Sequence, residues 1–268
     1  MLESKRISQI EEIIEQIKKK TGKNIQNFKP VFIDRRVQYR MRNLNISDWD
    51  EYVKLISSSN EAELLYSSFS INVTKFFRDP HVWEKLELEI IPNFIKKSKP
   101  HSMKVWSCGC ASGEEPNTIS ILLQELCKVQ NCNYRVYAND INQDAITRAQ
   151  KAVYRNANLV NVKNQIMHKY FEKISDDSYQ VKQKVTTKID YENIDLIKIS
   201  EKLFDIIFCR NVLIYYDKKS HEGIYKKFSE SLKDGGILIL GQDESMIGTK
   251  GKDFFELLHP KERIYQKI

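Results

Sequence analysis

Near the N-terminus apolar residues fall at Ile7, Ile10, Ile13, Ile14 and Ile17, a spacing that predicts an amphipathic helix stopped by Gly22. A second helix is expected after Pro30, with Ile33, Val37, Met41 and Leu44 on one face and Arg35 and Arg42 opposite. Arg36 and Arg40 flank that stripe. Ser47 and Asp50 form a capping-box-like pattern around a third helix carrying Trp49, Tyr52, Val53 and Ile56. Asn60 is placed to cap a fourth with Leu64, Leu65 and Phe69. Asp79-Pro80 reads as an N-cap and N1 pair for a longer helix running through Leu86, Ile90 and Phe94.

After "KKSKPHS" the pattern changes to short apolar runs alternating with helical segments, as an α/β domain requires. The predicted strands are "KVWSC" (104–108), "YRVYAND" (134–140), "KVTTKIDY" (184–191), "FDIIFCR" (204–210) and "GGILILG" (235–241), with helices after Glu114, Asp144 and Lys218. The tail "FFELLH…RIYQKI" adds two strands as an antiparallel edge. A polar stretch, "KYFEKISDDSYQVKQKV", predicts a small hairpin near 171–184. In "FCRNVLIYYD" an arginine and an asparagine interrupt an apolar run: either the strand stops at Arg210 or a charge is buried.

At about 150 residues per domain, 268 residues imply two domains. The 43 basic against 36 acidic residues give a net charge of +7, which admits an anionic partner and equally a lysine-rich solvated surface. Positive charge is densest in the second helix and the turn before it, where Lys23, Lys29, Arg35, Arg36, Arg40 and Arg42 face Asp34 alone. Cys108, Cys110, Cys127, Cys132 and Cys209 lack paired C-x-x-C spacing, which argues against a disulfide framework and a zinc site. With no signal core and no long apolar run, the expected location is the cytoplasm.

"VWSCGCASGEEPNTISILLQEL" reads as strand, glycine turn and helix, the place where open α/β sheets bind ligands. It is neither G-x-G-x-x-G nor a phosphate-binding loop followed by Gly-Lys-Ser/Thr, and its serine is one place too late for a nucleophile elbow. Glu114 and Glu115 open the helix, so a pyrophosphate there would meet carboxylates. A cationic ligand such as S-adenosylmethionine suits the turn better, although glutamates in a first turn also stabilise the helix dipole with no ligand. Asp140, ending the second strand, is placed either to accept ribose hydroxyls or to cap the next helix.

Together "SINVTKFFRDP", "WSCGCASGEEPNTIS", "YANDIN", "FCRNVLIYYD" and "GGILILGQDESM…RIYQK" closely resemble the bacterial chemotaxis receptor methyltransferases, the CheR family, in the family's order from Phe28 onward. The resemblance implies a helical N-terminal receptor-recognition domain (1–78) and a Rossmann-like S-adenosylmethionine-binding methyltransferase domain (79–268), with a seven-stranded, mostly parallel sheet and a small β-hairpin subdomain. It implies methyl transfer to the γ-carboxylate of glutamates on the cytoplasmic helical bundle of chemoreceptors, leaving S-adenosylhomocysteine.

Carried onto this chain, the resemblance puts Asn72, Thr74 and Arg78 over the methionine end of the cofactor, Arg78 holding its carboxylate or the incoming glutamate. Glu115 binds the cofactor near Gly109, Asp140 the ribose, and Asp195 and Leu196 the adenine. Arg210 and Asn211 line the pocket floor and Tyr215 approaches the transferred methyl, so Arg78, Arg210 and Tyr215 are the catalytic candidates, with Tyr216 left to packing. Arg35, Arg36, Arg40 and Arg42 would align an acidic receptor helix. A glutamate is already ionised at neutral pH and needs no general base, in keeping with a site without histidine or metal.

Three departures stand out. Asp195 replaces a frequent asparagine, Cys108 and Cys110 replace small residues, and the 171–184 hairpin lacks the glycine-rich loop with which some members grip a receptor's C-terminal pentapeptide. The expectation is an enzyme that works without that tether, without nucleic acid and without membrane insertion, associating with receptor arrays. Two alternatives remain: a methyltransferase of another substrate, and a non-catalytic docking module that retains the cofactor site.

Overall fold

A computed structural model describes residues 2–71, 73–199 and 203–268. The chain divides into two compact units, Met1–Ile71 with Leu213–His221, and Asn72–Val212 with Glu222–Ile268. No helix among the described residues is long and apolar enough to cross a membrane.

The first unit holds α1 (Leu2–Thr21), α2 (Pro30–Asn43), α3 (Trp49–Ser58) and α4 (Glu61–Ser67). Ile10, Ile13 and Ile17 are buried, whereas Ile7 is exposed, so the packed part of the α1 stripe begins one turn later than the spacing suggests. Phe32, Ile33, Val37 and Met41 bury the apolar face of α2, while Leu44, already its C-cap, is partly exposed. The expected Ser47 cap is corrected: Asp48 accepts from the Glu51 backbone N–H at 2.8 Å, because an N-cap carboxylate reaches the third helical amide directly. Likewise Asn60 makes no side-chain cap, and Ser59 Oγ accepts from the Glu61 amide instead.

Glu61 is a buried charge shared by three helices. Arg40 donates to it through Nε and Nη2 at 2.8 and 2.7 Å, and Tyr52 Oη donates at 2.7 Å. Bidentate geometry and a third donor satisfy the carboxylate, which makes its burial tolerable.

The second unit opens with α5 (Pro80–Lys85), a π-helical turn (Leu86–Ile90) and α6 (Ile91–Ser98). The single helix expected here is thus interrupted by a wide turn just before Pro92, which has no N–H to return to the preceding turn. In chain order there follow β1 (Ser102–Cys108), α7 (Glu114–Gln130), β2 (Asn133–Asp140), α8 (Gln143–Lys151), β3 (Val153–Arg155), α9 (Asn164–Tyr170), β4 (Phe171–Ser175) and β5 (Ser178–Val181). Then come α10 (Gln183–Thr186), β6 (Ile189–Asn193), β7 (Phe204–Cys209), α11 (Lys218–Ser231), β8 (Leu232–Leu240), β9 (Phe255–His259) and β10 (Ile264–Lys267).

Seven strands form one sheet in the order β6-β2-β1-β7-β8-β10-β9. The pairs from β6 to β8 are parallel and the two involving β10 antiparallel, as expected of the tail. The hairpin of β4 and β5 gains β3 as a third strand, which the sequence reading missed. Residues 184–187 are not strand: Val185 is fully buried from α10 and its carbonyl accepts from Ser120 Oγ on α7, so packing overrides a β-branched run.

Candidate active site

Parallel strands point the same way, so the ends of β1, β2 and β7 converge on one edge of the sheet, where the chain departs from β1 to opposite sides. The turn after β1 carries positive φ at Gly109, Ala111 and Gly113. Gly113 has no alternative, since a Cβ there would lie 2.7 Å from Ala149 Cβ and 2.8 Å from Tyr154 Oη. The turn ends by launching α7 with Glu114 and Glu115.

Thr74, Arg78, Gly109, Glu115, Arg210 and Asn211 line one cleft at this edge, together with Val73, Lys75, Trp83, Cys110 and Ala111. Six of the residues singled out from sequence are therefore brought together. The two glutamates part company: Glu115 faces the cleft, whereas Glu114 is buried and turned elsewhere. The expectation that a ligand meets both carboxylates is corrected to one. Ser107 Oγ donates to Glu115 Oε1 at 2.8 Å, and Arg210 Nη1 approaches Oε2 at 3.5 Å. Burial pushes the Glu115 carboxyl above its ordinary value, against the opposing pull of Arg210.

β7 stops at Cys209, and Arg210 is nonetheless buried, its side chain 2% exposed. Both branches of the sequence-level question hold at once: the strand ends, and a charge is buried at its end. Its Nη2 donates to Asp79 Oδ2 at 2.7 Å and to the Arg78 carbonyl at 2.9 Å, and its guanidinium lies 5.4 Å from the Trp83 ring centroid. Its Nε is buried without a hydrogen-bond partner. Asp79 was expected to cap a helix; it takes positive φ, makes no side-chain cap, and gives its carboxylate to Arg210 instead.

Asp140 is buried, and its carboxylate accepts from the backbone N–H of Ala111 and of Asn142, both at 2.9 Å. It thereby shapes the glycine turn from the end of β2. Asp195 caps the short turn at Leu196–Lys198 by accepting from the Ile197 N–H, and burial raises its pKa. Leu196 is buried beside it in sequence, and neither lines the cleft. Asn72 lies outside the described residues. Cys110 reaches the cleft and Cys108 is buried; burial pushes both thiols well above their usual value, so neither is a nucleophile at neutral pH.

Tyr215 belongs to the first unit, where its ring stacks on Phe32 at 4.6 Å. Tyr216 is buried against Phe28 at 4.5 Å, in keeping with a packing role. The arginines of α2 separate. Arg35 and Arg42 are exposed, Arg40 is engaged with Glu61, and Arg36 is half-buried, donating to the Ser68 carbonyl at 3.4 Å with its pKa lowered by burial.

Sequence reasoning did not assign Glu244, which holds the cleft floor. Its carboxylate accepts from the backbone N–H of Asn211 (3.0 Å), Val212 (2.8 Å) and Gly241 (2.6 Å). Asn211 has φ of 60°, a left-handed conformation these bonds hold in place. The acid in "GQDESM" just past a strand end was the available signal.

Residues 72–262 match the CheR methyltransferase, SAM binding domain, and residues 8–68 the CheR methyltransferase, all-alpha domain. The chain is 30% identical over 244 residues to a chemotaxis protein methyltransferase of Borreliella burgdorferi, covering 87% of this chain and 86% of that one. It is 30% identical over 235 residues to chemotaxis protein methyltransferase 2 of Vibrio cholerae, covering 85% and 82%. A chemotaxis protein methyltransferase of Klebsiella aerogenes is 29% identical over 260 residues, covering 94% and 85%.

Proposed function

The chain belongs to the CheR methyltransferase family, and on that premise we propose that it methylates the γ-carboxylate of glutamates on the cytoplasmic helical domain of chemotaxis receptors, using S-adenosyl-L-methionine. The observation that carries this reading is the pairing, in one cleft at the sheet edge, of a carboxylate (Glu115) with a buried arginine (Arg210) whose Nε lacks an acceptor.

The donor set fits S-adenosylmethionine. Glu115 offers a carboxylate to an ammonium or sulfonium, and Arg210 Nε offers an orphan donor to a carboxylate. Bound there, the cofactor supplies an electrophilic methyl on a positively charged sulfur. The cleft has about 40 Å³ of free volume. Thr74 and Arg78 line one wall of it, and Arg78 is the cation for a carboxylate on that side. Arg210 is held from behind by Asp79 and the Arg78 carbonyl, which keeps its charge oriented without solvent. The carboxylate nucleophile arrives ionised, so the residues' task is to position it and exclude water. Tyr215 is assigned to the methyl-transfer step, and Arg35, Arg36 and Arg42 to alignment of an acidic receptor helix. The β4–β5 turn is Asp176-Asp177, without glycine, which supports receptor recognition without a C-terminal tether.

Incubation with methyl-labelled cofactor and membranes carrying receptors of the same cell, scored by methanol released in alkali, tests the reading. Base-labile label on receptor is expected. Base-stable label, or tight cofactor binding with no transfer to any receptor, would overturn it.

A further inference from the structure

Glu114 is 1% exposed and takes no part in the cleft, yet it sits among bonds that fix the cleft's wall. Ser112 Oγ donates to its Oε2 at 2.7 Å, and Asn158 Nδ2 donates to its Oε1 at 2.9 Å. The Asn158 carbonyl in turn accepts from the Phe76 N–H at 3.0 Å. The Glu114 carbonyl accepts from Thr118 Oγ1 at 2.7 Å, and that hydroxyl accepts from the Phe77 N–H at 3.2 Å. Two successive amides of the segment that supplies Thr74 and Arg78 are therefore fastened to partners of Glu114.

We propose that Glu114 is a positioning residue for cofactor binding: its buried carboxylate clasps the glycine turn to Asn158 and so fixes the anchored end of residues 73–78 along the cleft. The adjacent glutamates divide the work, Glu115 meeting the ligand and Glu114 holding the frame. The identity of that ligand rests on the reading above. Ionisation matters because Asn158 Nδ2 and Ser112 Oγ both donate, and only the carboxylate accepts from both without rearrangement.

Burial raises the Glu114 carboxyl to about 7. The groups that bear on it are Ser112 and Cys110 from the turn, Asn158 after β3, Arg148 on α8, Tyr154 on β3 and Tyr191 on β6. Arg148 and the two donors oppose the rise. Between pH 6 and pH 8 the clasp passes from protonated to ionised.

Calorimetric titration of the full chain with S-adenosylhomocysteine at pH 6 and pH 8 tests the proposal in wild type, Glu114→Gln and Asn158→Ala. At pH 8 each variant should bind about fivefold or more weakly, the loss of a hydrogen bond to a charged group. At pH 6 the Glu114→Gln deficit should shrink to about twofold or less, because the wild-type group is then neutral too. The double variant should be no worse than either single one. Taking the ratio of variant to wild type at each pH cancels titration of Glu115 and of the ligand. An unchanged affinity in Glu114→Gln, or a ratio that is the same at both pH values, overturns the proposal while leaving the family reading intact. A wild type that does not bind the ligand overturns both.

Discussion

Arg210, the first residue past β7, donates to the carboxylate of Asp79 at 2.7 Å, locking the end of a central strand to the residue that precedes α5. Asp79→Ala leaves a buried guanidinium with the Arg78 carbonyl, a long contact to Glu115 and the Trp83 ring. Because Asp79 is itself partly exposed, the expected loss is about 1–3 kcal/mol rather than the full cost of breaking a buried pair. Asp79→Asn keeps an acceptor and tolerates the positive φ, so it should cost less. Denaturant unfolding of both variants checks the order; an equal cost would show that a neutral acceptor contributes nothing and that the charge of Asp79 alone holds Arg210.

Glu244 faces three backbone N–H groups, so Glu244→Gln is not a mild change: one acceptor becomes an NH2 group aimed at donors. Both Glu244→Gln and Glu244→Ala should lower the melting temperature and weaken cofactor binding about tenfold or more, through the left-handed Asn211 turn. Calorimetry of ligand binding beside thermal melts measures it. A Gln variant that binds normally would remove Glu244 from the site's frame.

The arginines of α2 should divide by stability. Arg40→Ala strands the buried Glu61 with Tyr52 alone and should cost about 3–5 kcal/mol. Arg35→Ala and Arg42→Ala, exposed on the helix, should change stability by less than about 0.5 kcal/mol. Receptor methylation assays are therefore informative on Arg35 and Arg42, where a fall in activity at unchanged fold and unchanged cofactor affinity reports recognition. If cofactor affinity falls in step, the alignment role is lost.

Stability should carry the opposite pH signature from the Glu114 binding effect. The folded state raises this carboxyl from its ordinary range to about 7, so it binds the proton more tightly than the unfolded chain does. The neutral form is accommodated at no charge penalty below the unfolded value, and the penalty grows as the pH climbs through that interval, reaching about 3 kcal/mol above it. Glu114→Gln removes this component. Its melting temperature relative to wild type should therefore rise from pH 5 to pH 8, while its cofactor binding worsens over the same change. Scanning calorimetry at the two pH values reads the sign, and a flat difference would mean that the carboxyl is not buried in the charged form.

How much of the cleft was legible depended on whether a residue's role is written in its neighbours along the chain. Gly109 and Gly113 announce a turn, and Arg210 breaks an apolar run, so both stood out. Asp79 looked like a cap because Pro80 follows it, which is a local inference; its carboxylate instead meets an arginine distant in sequence. Asn158 lies in an unremarkable polar stretch, and nothing nearby marks it as a partner of Glu114.

Periodicity determined the outline: a helical opening, alternating strands and helices, and an antiparallel tail, because burying one face of each element repeats with the period of that element. The quoted motifs, in their order, carried the resemblance to the family, and the strand, glycine turn and helix marked the edge of the sheet where the cleft lies. Tertiary structure alone decided that Glu114 and Glu115 face different ways, that Arg40 serves Glu61, and that Glu244 holds the Asn211 turn. A side chain's hydrogen-bond partners are set by which elements pack together, and that juxtaposition has no period for a linear pattern to reveal.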